Sequence, residues 1–162
     1  MNPQLETDLK FIAEAIAEAR KGLAEGGIPI GSVLVVNGEI IGRGHNQRVQ
    51  KGNPILHVEM DAVQNAGRHP PEVYARATIY TTLSPCTMCG GTMVLYRIPR
   101  VVIGENRTVA GTTLCEDWLQ SHGLEVVNLD LPECVALMNE FIRQYPHIWN
   151  EDIGREHIQQ RK

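Results

Sequence analysis

The sequence of 162 residues has few aromatic side chains, no long apolar run and no excess of basic residues. Aromatic residues make up 5% of the chain, too few for a stacking platform that binds single-stranded nucleic acid. The formal net charge of −4 also argues against a phosphate-binding surface, so we predict no nucleic-acid partner. The uncharged run Gly26 to Gly38 is interrupted by Pro29 and falls short of the roughly 20 apolar residues of a membrane span. We therefore predict no membrane partner.

The N-terminal residues lack the basic start and apolar core of a secretory signal peptide, so we predict a cytoplasmic protein. In a reducing compartment, a close pair of cysteines indicates metal binding or redox chemistry rather than a disulfide. An apolar content of 43% excludes an intrinsically disordered chain. Because no linker, repeat or low-complexity segment divides the sequence, we predict one domain over residues 1–162.

Apolar periodicity predicts a long first helix over residues 9–23, which ends at two consecutive glycines. A hairpin follows, because the apolar run Ser32 to Val36 precedes the turn signal Asn37-Gly38 and the run Glu39 to Ile41. The stretch Gly42 to Asn46 is predicted to leave the sheet as a glycine-rich loop.

The rest of the sequence alternates between predicted helices and strands. Strands are predicted at 77–83, 101–103 and 124–127, and helices at about 57–66, 87–97, 114–122 and 132–145. An initial hairpin followed by this alternation predicts an α/β protein, a three-layer α/β/α sandwich with a mixed five-stranded sheet.

Two short fragments carry the residue types of a metal site: His57-Val58-Glu59 and Pro85-Cys86-Thr87-Met88-Cys89. The two cysteines lie one turn apart at the start of a predicted helix, where the helix dipole stabilises thiolates. Together with His57 they form a ligand set that zinc prefers. Three protein ligands leave the fourth zinc position to water, as in catalytic sites.

Glu59 follows His57 by two residues, which in the first turn of a helix directs its carboxylate toward a metal-bound water rather than the metal. A bare Cys-x-x-Cys is more often structural or redox-active, so a non-catalytic zinc-stabilised interaction module is an alternative. Its mark would be a fourth protein ligand such as Cys115. Otherwise Cys115 and Cys134 are expected to be free and buried.

The order His-x-Glu, then Pro-Cys-x-x-Cys, resembles that of the zinc deaminases of nucleobases. Over nearly its whole length the sequence also resembles the fungal-type cytosine deaminases, in the cytidine/deoxycytidylate deaminase superfamily. The stretches that carry this resemblance are Glu25 to Gly31, Gly42 to Asn46, Tyr80 to Cys86, Ile98 to Arg100, Gly104 to Asn106 and Glu151 to Gly154. Pro-Cys-x-x-Cys is common to the superfamily, whereas the stretch with Asn46 and the C-terminal tail are more specific to the family.

The resemblance implies a cytidine deaminase-like fold and one catalytic Zn²⁺ per chain, with His57, Cys86 and Cys89 as ligands. It implies that water activated on zinc deaminates a free nucleobase, cytosine to uracil plus ammonia, with Glu59 as the proton shuttle. It further implies a small-molecule nucleobase substrate, a role in pyrimidine salvage and a homodimer.

The resemblance also implies a set of substrate-binding residues. Asn46 would hydrogen-bond the polar edge of the ring, Asp152 would accept from the exocyclic amine, and Trp149 would cover the ring. Ile30 would be apolar lining, and backbone groups near Val58 and Ser84 would complete the pocket. His45, next to Asn46, has two interpretations: hydrogen bonding within a tight loop, or a place in the pocket.

Three departures from the family leave the identity of the base open. Val58 stands where a small residue is usual, and Asn150 stands where an aromatic is expected. The loop Glu105 to Asp117 is longer than in the family and lacks an aromatic that closes over the substrate. The alternatives are a deaminase of guanine, isocytosine or a pterin, and an RNA-editing adenosine deaminase of tRNA, against which the acidic charge argues.

Overall fold

The computed structural model describes residues 1–109 and 113–154. Helix α1 (Pro3–Ala24) precedes a hairpin of β1 (Gly31–Val36) and β2 (Glu39–His45). The other strands are β3 (Ala77–Leu83), β4 (Arg100–Glu105) and β5 (Glu125–Asn128). The other helices are α2 (Arg48–Lys51), α3 (Val58–Ala66), α4 (Pro71–Tyr74), α5 (Thr87–Leu95), α6 (Thr113–Ser121), α7 (Pro132–Gln144) and α8 (Pro146–Asp152).

The five strands form one mixed sheet in the order β2-β1-β3-β4-β5, which confirms the predicted sheet. Strand β1 is antiparallel to both β2 and β3, whereas β3, β4 and β5 are parallel to one another. Parallel neighbours require crossover connections, and α5 and α6 provide them. As a result, the start of β1 and the end of β2 lie at the same edge of the sheet as the carboxyl ends of β3 and β4.

Alternation along β1 separates two apolar layers, because successive side chains point to opposite faces of a sheet. Val33 packs on one face with Phe11 and Ile12 of α1. Leu34 packs on the other face with Met93 of α5 and with residues of α3 and α6. The sheet therefore lies between two layers of helices, as the predicted three-layer α/β/α sandwich requires. Within the described ranges, none of the helices is both long enough and apolar enough to cross a bilayer.

Strand β2 is longer than predicted, because the glycine-rich stretch Gly42 to His45 continues the strand instead of leaving the sheet. Helix α3 packs so closely on β2 that a Cβ at Gly42 would lie 2.3 Å from the carbonyl oxygen of Ala62. A Cβ at Gly44 would lie 2.4 Å from the Ala62 nitrogen. These glycines permit close contact between helix and strand, and the prediction of a loop here is wrong.

Three short helices were not predicted. Helices α2 and α4 have 4 residues each, too few to show a period of 3.6. Helix α8 forms in the polar tail, with Pro146 at its first position, where the missing N–H of proline costs no hydrogen bond. The side chain of Trp149, on α8, is buried in an apolar cluster that includes Ile28 and Phe141.

A buried ion pair joins α1 to the start of β4. Asp8 accepts hydrogen bonds from Arg100 Nη1 at 2.7 Å and Nη2 at 2.8 Å. Tyr80 Oη donates a further hydrogen bond to Asp8 Oδ1 at 3.1 Å. Burial opposes ionisation of Asp8, but the hydrogen bonds from Arg100 and Gln4 outweigh it and hold the pKa of this carboxyl below its ordinary value.

Candidate active site

Two helix N-termini bring together the three predicted metal ligands. His57 is the residue before α3, and Cys86 is the residue before α5, both in extended conformation. Cys89 follows in the first turn of α5 and is buried. The ligand atoms of the three side chains all lie within 4.8 Å of one another.

The spacing of these atoms fits a zinc ion. In a tetrahedral site, Zn–S bonds of about 2.3 Å and a Zn–N bond of about 2.0 Å place the two sulfurs ~3.8 Å apart and each sulfur ~3.5 Å from the nitrogen. The observed distances are 3.7 Å between Cys86 Sγ and Cys89 Sγ, and 3.4 Å between Cys86 Sγ and His57 Nδ1. Among the described residues, no fourth His, Cys, Asp or Glu joins this group. Cys115, which is one of the described residues, is therefore not a fourth ligand.

Charges within the cluster favour a thiolate before any metal binds. The hydrogen bond from the Cys89 thiol, aided by His57, lowers the pKa of Cys86 to about 4 against the effect of burial. The same contact with Cys86, together with burial, raises the pKa of Cys89. Burial lowers the pKa of His57, but the hydrogen bond with Cys86 and the charge of Cys86 raise it by more. The net shift is therefore upward. The lowered pKa of Cys86 thus favours the thiolate, the form of cysteine that binds a metal.

Glu59 is the second residue of α3 and is 4% exposed. Its Oε1 accepts a hydrogen bond from Thr81 Oγ1 of β3 at 2.9 Å. Burial raises the pKa of this carboxyl, and the negative charge of Cys86 raises it further. A buried carboxyl with a raised pKa beside a metal-ligand cluster is suited to take up and release a proton.

The cluster and Glu59 open into a pocket at the sheet edge where β1 starts and β3 ends. Including its open side, the pocket has a volume of about 410 Å³. All the predicted site residues line it except Cys89, which is buried within the cluster. The lining residues are Ile30, Asn46, His57, Val58, Glu59, Leu83, Ser84, Cys86, Val109, Trp149, Asp152 and Ile153. Sequence reasoning had not assigned Leu83, Val109 or Ile153 to the pocket.

Two polar side chains lie side by side in the pocket wall. Asn46 Nδ2 donates to Asp152 Oδ1 at 3.5 Å, and Asn46 Oδ1 accepts from the backbone N–H of Arg48 at 3.0 Å. Asp152 Oδ1 also forms an ion pair with Arg48 Nη1 at 2.6 Å. Trp149 lies one turn before Asp152 on α8 and is almost fully buried. Helix α8 therefore supplies one side of the pocket.

Ser84 lies directly after β3 and lines the pocket. A hydrogen bond with α6 fixes its side chain. Ser84 Oγ donates to Glu116 Oε1 of α6 at 2.8 Å, and Asn106 Nδ2 donates to the same carboxylate. The backbone N–H of Ser84 donates to the carbonyl oxygen of Glu105 at 2.9 Å. These contacts fix the turn that leads into Cys86.

His45 does not line the pocket, and its ring bonds to residues in and just after α1 rather than within a loop. Its Nδ1 lies 3.2 Å from Glu18 Oε2, and its Nε2 lies 2.7 Å from Glu25 Oε2. The ring thus ties the end of β2, next to Asn46, to α1. Cys115 and Cys134 are free and buried, as predicted, and burial raises the pKa of both thiols.

An α/β/α sandwich with a three-ligand His/Cys/Cys cluster and a buried glutamate beside it defines the class of zinc enzymes that activate water. Residues 5–105 match the model of the cytidine and deoxycytidylate deaminase zinc-binding region. The chain belongs to this deaminase family, which confirms the predicted superfamily, the zinc cofactor and the hydrolytic class.

Individual relatives extend the similarity beyond the matched region. The chain is 50% identical over 148 residues to the cytosine deaminase of Candida albicans, covering 91% of this chain and 97% of that protein. It is 38% identical over 147 residues to a tRNA-specific adenosine deaminase of Streptococcus pyogenes, covering 86% and 92%. A solved structure from a study of tRNA:A34 deaminases aligns with a TM-score of 0.68 and 28% identity, covering 80% of this chain and 99% of that one.

Proposed function

We propose that the chain hydrolyses free cytosine to uracil and ammonia, with one catalytic zinc held by His57, Cys86 and Cys89. The observation that carries the proposal is the placement of this cluster and Glu59 in the same pocket as Asn46 and Asp152. The 50% identity to a cytosine deaminase over nearly the whole chain supports the choice of base. The reaction would serve pyrimidine salvage.

Zinc, when bound at the cluster, supplies a water whose pKa is lowered to about 7. Glu59 takes a proton from the attacking water and delivers it to the ring nitrogen N3 while the water oxygen bonds to C4. Glu59 then passes the second proton of that water to the exocyclic amine as the C4–N bond breaks. The products are uracil and ammonia, and Glu59 ends ionised as it began.

The remaining pocket residues orient the ring. Asn46 offers an amide with both donor and acceptor groups to the polar edge of the base. With Oδ1 of Asp152 paired to Arg48, Oδ2 is left to accept from the exocyclic amine. Trp149 covers the ring, Ile30 and the Val58 side chain line it, and backbone groups near Val58 and Ser84 complete the polar contacts.

A second candidate substrate is adenosine in tRNA, because a tRNA-specific adenosine deaminase shares 38% identity with the chain. The net charge of −4 disfavours it, since binding tRNA requires phosphate contacts from basic side chains. Guanine, isocytosine and pterins are rival free bases. They are favoured by Val58 in the pocket wall and by Val109, rather than an aromatic, in the loop that follows β4.

Ammonia release from the zinc-loaded protein tests these alternatives. The substrates are cytosine, 5-substituted cytosines, isocytosine, guanine, pterins, the corresponding nucleosides and tRNA. We expect the highest kcat/KM with cytosine and no release from tRNA. Release from guanine or tRNA but not from cytosine would reject the proposed substrate. Retention of tRNA in a filter-binding assay would support the tRNA adenosine deaminase.

We further propose that the protein is a homodimer in the cytoplasm with neither a nucleic-acid nor a membrane partner. The dimer rests on the family resemblance, and the four free cysteines suit a reducing compartment. Size-exclusion chromatography with light scattering should give a mass of about twice the 18.0 kDa of one chain. A mass of 18.0 kDa at micromolar concentration would reject the dimer.

A further inference from the structure

The guanidinium of Arg48 connects α2 to two other segments around the pocket. Its Nη1 lies 2.6 Å from Asp152 Oδ1, and its Nη2 lies 3.2 Å from Glu151 Oε1, both on α8. Its Nε donates to the carbonyl oxygen of Pro54 at 3.1 Å, in the loop that leads to the ligand His57. The side chains of Arg48 and Asp152 are 13% and 4% exposed, so their contact is largely shielded from water, whereas Glu151 is exposed.

The backbone of Arg48 adds a contact to a second pocket residue. Its N–H donates to Asn46 Oδ1 at 3.0 Å, and this fixes which side of the amide is oxygen. The NH₂ group of Asn46 then faces Asp152 Oδ1 at 3.5 Å. Arg48, Asn46 and Asp152 therefore form a closed ring of hydrogen bonds in the pocket wall.

Helix α8 needs a cation at this end. Glu151 and Asp152 occupy its last turn, where the partial negative charge of a helix C-terminus repels carboxylates. The Asp152 side chain is 4% exposed, and a buried carboxylate without a partner is costly. The guanidinium of Arg48 offsets both effects. No basic residue lies in the last turn of α8 to take its place.

We infer that Arg48 is the positioning residue for substrate recognition by Asp152. It holds Oδ1, so that Oδ2 is aimed into the pocket. A carboxylate oxygen in this place accepts hydrogen bonds, which suits the amine of the substrate and repels the oxo group of the product. This inference rests on the proposed function, because it assigns Asp152 to the amine of the base.

The variants Arg48→Ala and Arg48→Lys test the inference in the zinc-loaded protein. We expect Arg48→Ala to lower kcat/KM for cytosine by about ten- to a hundredfold, the usual effect of losing a hydrogen bond to a charged group, mainly through KM. Zinc content should not change. Arg48→Lys, which keeps the charge but not the planar fork, should recover part of the loss. The matched control is Arg143→Ala, which removes an exposed ion pair with Glu140 and should leave kcat/KM unchanged.

A double-mutant cycle decides whether Arg48 acts through Asp152. If it does, adding Arg48→Ala to Asp152→Asn lowers kcat/KM much less than it does in the wild type. Additive losses would overturn the inference, as would a single variant Arg48→Ala within twofold of the wild type.

A readout without substrate separates this inference from the proposed function. The chain has 2 tryptophans, so in a Trp118→Phe background fluorescence reports only Trp149 on α8. Arg48→Ala is expected to make Trp149 more accessible to acrylamide. If the wild type deaminates no base, the proposed function fails, and this quenching alone then judges Arg48: unchanged quenching overturns the positioning role.

Discussion

Replacing Glu59 with glutamine removes a titratable group from the pocket while keeping its shape. The amide oxygen of glutamine can still accept the hydrogen bond that Thr81 Oγ1 donates to Glu59 Oε1 at 2.9 Å. An isosteric change also avoids the cavity that alanine would leave at this buried position. Because Glu59 is not one of the three clustered ligands, we expect the variant to bind zinc fully.

The expected loss follows from the role of the carboxylate as proton carrier. General acid–base groups contribute typically 10²- to 10⁴-fold, which corresponds to about 3 to 5 kcal/mol of activation free energy. The loss should appear in kcat rather than KM, because Asn46 and Asp152 are untouched. In the zinc-free protein, burial is the main cause of the raised pKa of Glu59, so ionising this carboxyl costs stability there. The free energy of unfolding of zinc-free Glu59→Gln should therefore equal or exceed that of the zinc-free wild type.

Three measurements check this prediction: ammonia release from cytosine, elemental analysis for zinc, and urea unfolding at pH 7. The matched control is Glu140→Gln on the exposed side of α7, which should change none of them appreciably. A Glu59→Gln variant with full zinc and kcat within tenfold of the wild type would refute the role of Glu59. A variant that loses zinc would show instead that Glu59 helps to bind the metal.

Three further predictions concern the metal and the fold. Cys86→Ala should lose zinc, and full occupancy by elemental analysis would contradict its role as a ligand. Gly44→Ala should lower the free energy of unfolding in urea by at least about 2 kcal/mol, because its Cβ would lie 2.4 Å from the backbone of α3. The control Gly91→Ala, in the helix α5 and with open space around it, should be stabilising. Asp8→Asn should cost about 1.5 to 3 kcal/mol in urea unfolding, because Arg100 loses its buried charged partner and keeps only its ion pair with the exposed Glu125 at 3.0 Å. Since the folded-state pKa of Asp8 lies below its ordinary value of 3.8, its contribution is present above that pH and is lost as the pH falls, so the two proteins should converge in acid.

Sequence patterns predict a helix or strand well when its own residues determine where it begins and ends. Strand β3 has the predicted bounds 77–83, because its β-branched residues lie between clear breaks. Strand β2 was predicted to end at Ile41, because glycines such as those at positions 42 and 44 are typical of loops. Glycines at the same spacing also occur in a strand on which a helix packs closely. Only the position of α3 distinguishes the two, and that position is a tertiary property.

The same distinction separates the parts of the site. The metal cluster could be predicted because its ligands belong to two short motifs at helix starts, and the helix period brings Cys86 and Cys89 to one side. Asp152 and Trp149 could be placed in the pocket only through resemblance to a family. Arg48 was missed because its partner Asp152 is 104 residues away, and no local pattern links the two.

The two sides of the pocket come from different parts of the chain. The cluster and Glu59 come from α3 and α5, within the matched residues 5–105, whereas Trp149 and Asp152 come from α8, beyond them. Because zinc and Glu59 serve the hydrolysis of any base, we expect the identity of the base to depend on the residues that contact the ring, Trp149 and Asp152 among them. Substitutions in α8 should therefore alter which bases release ammonia without releasing zinc. Loss of a ligand in α5 should instead abolish release from every base.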